Sequence, residues 1–82
     1  MSPFREKERL RWQCRRGMLE LDLLLLRFLE ERYDGLRGDL KEWFREILCE
    51  ADSHLFYWFV ETPANAPPEY RELVELIREY AG

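Results

Sequence analysis

Leu21, Leu24, Leu25 and Phe28 recur at the spacing i, i+3, i+4, i+7, and Leu23, Leu26 and Leu29 widen the stripe until the segment from Leu19 to Tyr33 is apolar nearly all round. No other feature of the 82-residue chain constrains its fold as strongly. Such a helix has almost no face to offer water, so it predicts a central element on which the rest of the chain packs. It is not a membrane span: that needs roughly 20 apolar residues, and here Asp22 and Arg27 interrupt the run.

Shorter helical signals surround it. Pro3 and Gly17 bracket a first segment, about residues 5 to 15, with few apolar positions (Phe4, Leu10, Trp12, Cys14) and a largely exposed charged face. After a turn at Asp34, Gly35 and Gly38, Asp39 followed by Glu42 resembles a capping box opening a third helix with Leu40, Trp43, Phe44, Ile47 and Leu48 on one face. Asp52 or Ser53 can cap a short fourth helix that buries Leu55, Trp58 and Phe59. The linker TPANAPP follows, and Pro68 suits the first turn of a fifth helix carrying Tyr70, Leu73, Val74, Ile77 and Tyr80. Period-two alternation is absent. The expected fold is all-α, a compact five-helix bundle forming one small domain over residues 1–82, with Leu24, Leu25, Phe28, Trp43, Phe44, Ile47 and Phe59 in one core.

The charge pattern is asymmetric. Residues 5 to 16 hold six Lys/Arg against two Glu, although the whole chain has a net charge of −4. A basic end therefore meets an acidic body. The N-terminus lacks the apolar stretch of a secretory signal, which suggests a reducing cytosol or matrix, and Cys14 and Cys49 read as small packing residues rather than as a disulfide or a metal site. Catalytic groups are scarce: His54, the only histidine, falls at a helix start as a partly exposed residue of the capping region, the glutamates pattern as solvated helix faces, and no glycine-rich loop cradles phosphate.

Two functional readings remain for the basic segment. Its arginines, interleaved with Trp12, could meet nucleic-acid phosphates, against which stand the acidic pI and the diluting Glu6 and Glu8. An arginine-rich surface with one exposed aromatic is also how a protein-binding face looks. The stretch CRRGMLELD bears on the choice. As pure architecture, Gly17 closes the first helix in a left-handed conformation, Glu20 complements the dipole of the next and Arg16 pairs with Glu20. That account leaves unexplained why Arg15, Arg16, Glu20 and Asp22 gather around one bare backbone corner, where a partner can approach the main chain closely.

Arg16-Gly17-Met18-Leu19-Glu20, within WQCRRGMLELD, resembles the RGxxE signature of the small flavinylation-factor family, SdhE in bacteria and succinate dehydrogenase assembly factor 2 in mitochondria. LEERYDGL and ILCEADSHLFYWF are similar to that family's later segments, so the likeness spans nearly the whole chain; Leu19 departs from a frequently basic position and His54 from a frequently acidic one. The resemblance implies a five-helix assembly chaperone, not an enzyme, that promotes covalent attachment of FAD to the flavoprotein subunit of succinate dehydrogenase and, in many bacteria, of fumarate reductase. Taken with the composition and the helical pattern, the expectation is a cytoplasmic or matrix monomer that does not hold FAD tightly, bind nucleic acid or insert into membranes. Arg16, Gly17 and Glu20 would dock on the partner, Arg16 offering a planar fork, with Arg11, Trp12, Arg15 and Asp22 completing the surface.

Overall fold

The computed structural model describes residues 3–62 and 65–81, for residues 3 and 4 the backbone only. The expected apolar contribution of Phe4 and part of the 62–68 linker therefore lie outside the described residues. Five α-helices follow in order: α1 (Pro3–Gln13), α2 (Leu19–Arg32), α3 (Gly38–Ile47), α4 (Asp52–Phe56) and α5 (Pro68–Ala81). A 3-10 turn, Tyr33–Gly35, extends α2, and a π-helical turn, Tyr57–Glu61, extends α4. No strand occurs among the described residues.

The central role expected of α2 holds along one stripe. Leu21, Leu25, Phe28 and Leu29 are buried against Leu40, Phe44 and Ile47 of α3, Leu55 of α4 and Leu73, Val74 and Ile77 of α5 in one apolar cluster. The Phe44 ring anchors it, its centroid 5.7 Å from that of Phe28 and 5.5 Å from that of Tyr33. Each such fully buried side chain contributes about 1.5 to 3 kcal/mol. α2 is nonetheless not covered all round: Leu19 and Leu23, one turn apart, stay exposed, and Leu24 is only half-buried, because no helix packs over the outward N-terminal face. Trp43 likewise sits at the core margin, its indole edge-on to Tyr70.

Tyr57 and Thr62 close the π turn, with the Thr62 N–H donating to the Tyr57 carbonyl at 2.7 Å. This wider turn lets the consecutive residues Trp58 and Phe59 both reach the core alongside Leu55. Two expected caps are absent. α3 starts at Gly38, and Asp39 is engaged by the Arg37 guanidinium and the Leu40 N–H rather than forming a capping box; α4 begins after Ala51 without a side-chain cap. Cys14 is buried as expected, but Cys49 is exposed, since it falls in the turn after α3 and off that helix's apolar stripe. His54 is an exposed first-turn residue whose ring stacks on Trp58.

α1 explains the charge asymmetry. Its short apolar contribution, Leu10 followed by Cys14 just beyond its end, is supplemented by ion pairs to acids elsewhere: Lys7 to Asp34 at 2.8 Å, and Arg11 to Glu30 in a forked pair. Glu6 reciprocates, accepting from Arg45 of α3 at 2.8 Å and from the Tyr33 hydroxyl at 3.2 Å. The basic helix is laid on an acidic body.

Candidate functional site

α1 ends at Gln13, earlier than the sequence suggests, and the link from Cys14 to Met18 turns the chain into α2. Gly17 is the one residue with positive φ among those described, at 82°, and an added Cβ there would meet nothing within 4 Å. The left-handed conformation is thus present as expected, but it serves the link and does not close α1 directly. Its N–H donates to Asp22 Oδ2 at 3.2 Å, while the Arg16 N–H donates to Asp22 Oδ1 at 2.8 Å. One carboxylate, one turn into α2, therefore holds two successive amides of the link.

Arg16 does not pair with Glu20. Its guanidinium turns to the opposite side: Nε donates to the Gln13 carbonyl at 2.8 Å, Nη1 to the Glu50 carbonyl at 2.7 Å and to Asp52 Oδ1 at 3.0 Å, and Nη2 to the Leu48 carbonyl. Carbonyls past the end of a helix lack intrahelical partners and attract cations, which explains why the turn after α3 captures this side chain in preference to an exposed glutamate. Glu20 is left exposed in the first turn of α2 with no partner among the described residues.

The other candidate residues divide by exposure. Trp12 is 72% exposed, and the Arg15 guanidinium lies 5.2 Å above its ring, a cation–π pair at the surface. Arg11 faces α2 instead, and its bond with Glu30 holds that carboxyl below the usual carboxylate range. Outward-facing Leu19, 74% exposed, adjoins Glu20; nothing in the helical period singled it out, because a leucine in an apolar run reads as core. Asp52, expected as a cap, serves as counter-ion to Arg16, a link between segments 36 residues apart that no local pattern signals. Beneath the corner, burial pushes the Cys14 thiol up to about 12, leaving it an inert packing group. Among the described residues no group of His, Cys, Asp and Glu could hold a metal, and no helix is long and apolar enough to cross a membrane.

The corner that resembles RGxxE thus exists as a built, outward-facing turn. A family model described as flavinator of succinate dehydrogenase matches residues 8–81, which include the corner, α2 to α5 and α1 from Glu8 onward. The chain belongs to this family. Among similar curated proteins, the FAD assembly factor SdhE of Idiomarina loihiensis is 45% identical over 74 residues, covering 90% of this chain and 79% of that protein. That of Coxiella burnetii is 42% identical over 72 residues, covering 88% and 84%, and that of Pseudomonas aeruginosa 39% over 77 residues, covering 94% and 92%. No solved structure matches the chain.

Proposed function

We propose that the chain is a non-catalytic assembly chaperone that binds the flavoprotein subunit of succinate dehydrogenase, and in cells that have it of fumarate reductase, and promotes covalent attachment of FAD there. The match to the flavinator family over residues 8–81 is the observation that carries this reading. The exposed set at the corner supports the binding role: Trp12 with Arg15 on one side, the bare Gly17 main chain, and Glu20, without a partner among the described residues, on the other. The whole chain, residues 1–82, acts as one domain and as a monomer, in the bacterial cytoplasm or the mitochondrial matrix, without holding FAD tightly itself.

Joining a partner histidine to the flavin ring requires the two to be held in reacting geometry, and orientation of that kind supplies several kcal/mol (about 7 to 11 at the limit). A chaperone contributes by binding the attachment-competent conformation of its partner more tightly than the others, which shifts the population by that difference in affinity. The nucleic-acid alternative loses support from the ion pairs of Lys7, Arg11 and Arg16, which occupy much of the basic segment. The test is co-expression with the succinate dehydrogenase flavoprotein subunit in cells lacking their own factor. Flavin fluorescence that stays with the denatured subunit is expected to be restored, and its absence despite soluble chaperone and subunit would refute the proposal.

A further inference from the structure

We propose that Arg16 is a positioning residue: its guanidinium clamps the α1–α2 link onto the Leu48–Asp52 turn and so holds Gly17 through Glu20 in the shape the partner recognises, while its neighbours make the contacts. This rests on the docking role proposed above.

A guanidinium has five N–H donors in a fixed plane. Here Nε, Nη1 and Nη2 make four bonds, to the carbonyls of Gln13, Leu48 and Glu50 and to the Asp52 carboxylate, and the side chain is 12% exposed. An approaching partner carboxylate would have to displace Asp52, already seated 3.0 Å from Nη1. Arg15, by contrast, is exposed and stacked on exposed Trp12, and Glu20 is exposed and unpaired among the described residues. The peptide at Arg16–Gly17 is gripped from two sides. Asp22 of α2 holds its two amides, and the turn between α3 and α4 holds the Arg16 side chain. Glycine at φ 82° is the most conformationally free point of the link, so the clamp beside it decides whether the corner is preorganised. The acidic segment ILCEAD and the RGMLE segment, distant in sequence, thereby form one unit: receptor and clamped corner.

The test compares Asp52→Ala, Asp52→Asn, Arg16→Lys, Arg16→Gln and the Arg16→Gln/Asp52→Ala double variant, each at a temperature where circular dichroism shows it folded. Affinity for the purified flavoprotein subunit and the Gly17 amide resonance of the free chain are both measured. Asp52→Ala is expected to weaken binding by about fivefold and Arg16→Gln by about tenfold or more, with the double variant no worse than Arg16→Gln alone, as groups acting as one unit require. The Gly17 amide should shift in Asp52→Ala and in Arg16→Gln, and Asp52→Asn and Arg16→Lys, which keep an acceptor and a charge respectively, should retain part of the affinity. If Arg16→Gln does not fold, Asp52→Ala and Arg16→Lys carry the test. Asp52→Ala with unchanged affinity and an unmoved Gly17 amide would overturn the proposal, as would additive losses in the double variant. Should the unaltered chain not bind the subunit, the docking role fails by itself; the clamp is then supported by a shifted Gly17 amide in Asp52→Ala and overturned by an unmoved one.

Discussion

Glu20→Ala separates a docking surface from a helix-capping corner with little disturbance of the backbone. Glu20 is exposed, has no partner among the described residues and stands in the first turn of α2. Its only calculable stabilising role is its charge near the helix N-terminus, worth about 0.3 to 1 kcal/mol at low salt. Alanine returns part of this through its higher helix propensity, a few tenths of a kcal/mol. The net cost is about 0.5 kcal/mol or less, and for a domain of this size 1 kcal/mol moves Tm by roughly 4 to 8 °C, so Tm should fall by no more than about 4 °C. Binding should respond on another scale: a central interface residue carries about 2 kcal/mol or more, some 30-fold in Kd. Thermal melting by circular dichroism and titration calorimetry against the purified flavoprotein subunit read the two effects separately. In cells lacking the native factor, a well-folded Glu20→Ala chain should leave the partner without covalent flavin. Full restoration, or a Kd within twofold of the unaltered chain, would show that the corner only shapes the fold.

Phe44→Ala should cost about 3 to 5 kcal/mol, because the ring is fully buried between Phe28 and Tyr33; an unchanged melting curve would contradict the packing described. Gly17→Ala should cost about 1 to 2 kcal/mol through backbone strain at φ 82° alone, since its Cβ meets no neighbour, and Gly17→Asn should cost less; chemical denaturation checks both. A thiol reagent should label Cys49 promptly and Cys14 only on unfolding. With the Cys14 thiol raised to about 12 in the folded chain against its ordinary value near 9, the folded state keeps a proton that the unfolded state releases. The contribution of this thiol to stability is therefore fully present below pH 9 and is lost as pH rises from 9 toward 12; Cys14→Ser should flatten that part of the slope in denaturation measured across the range.

Much of the site was legible in the sequence, and what was missed shares one cause. Gly17 between polar residues marked a left-handed turn, Trp12 stood out as the exposed aromatic of an arginine-rich surface, and the Leu21–Leu25–Phe28 stripe located the helix that supports them. The Arg16–Glu20 pair failed because local spacing says which groups can meet within one helix turn and nothing about a stronger acceptor brought from elsewhere. Three carbonyls and a carboxylate outcompete one solvated glutamate for a planar cation. Leu19, Leu23 and Leu24 differ from expectation for a related reason: hydropathy marks a side chain as able to be buried, whereas burial requires a neighbour on that face, and α1 and α5 pack mainly on the other one.

By itself the sequence determined the helices and their order and most of the positions they bury, since periodicity, turn residues and the exclusion of strand patterning act over a few residues. The five-helix architecture and the buried positions Leu25, Phe28, Phe44, Ile47 and Phe59 followed from it. Tertiary structure alone decided where the charges went. It set α1 on its neighbours by pairing Lys7 and Arg11 with acids and Glu6 with Arg45, turned Asp52 from a helix cap into the receptor for Arg16, and left Glu20 facing outward. The physical reason is range: apolar burial is non-directional and needs only a consistent face, while a hydrogen-bonded ion pair needs two specific groups within about 3 Å, and groups tens of residues apart acquire that proximity only once the chain is packed.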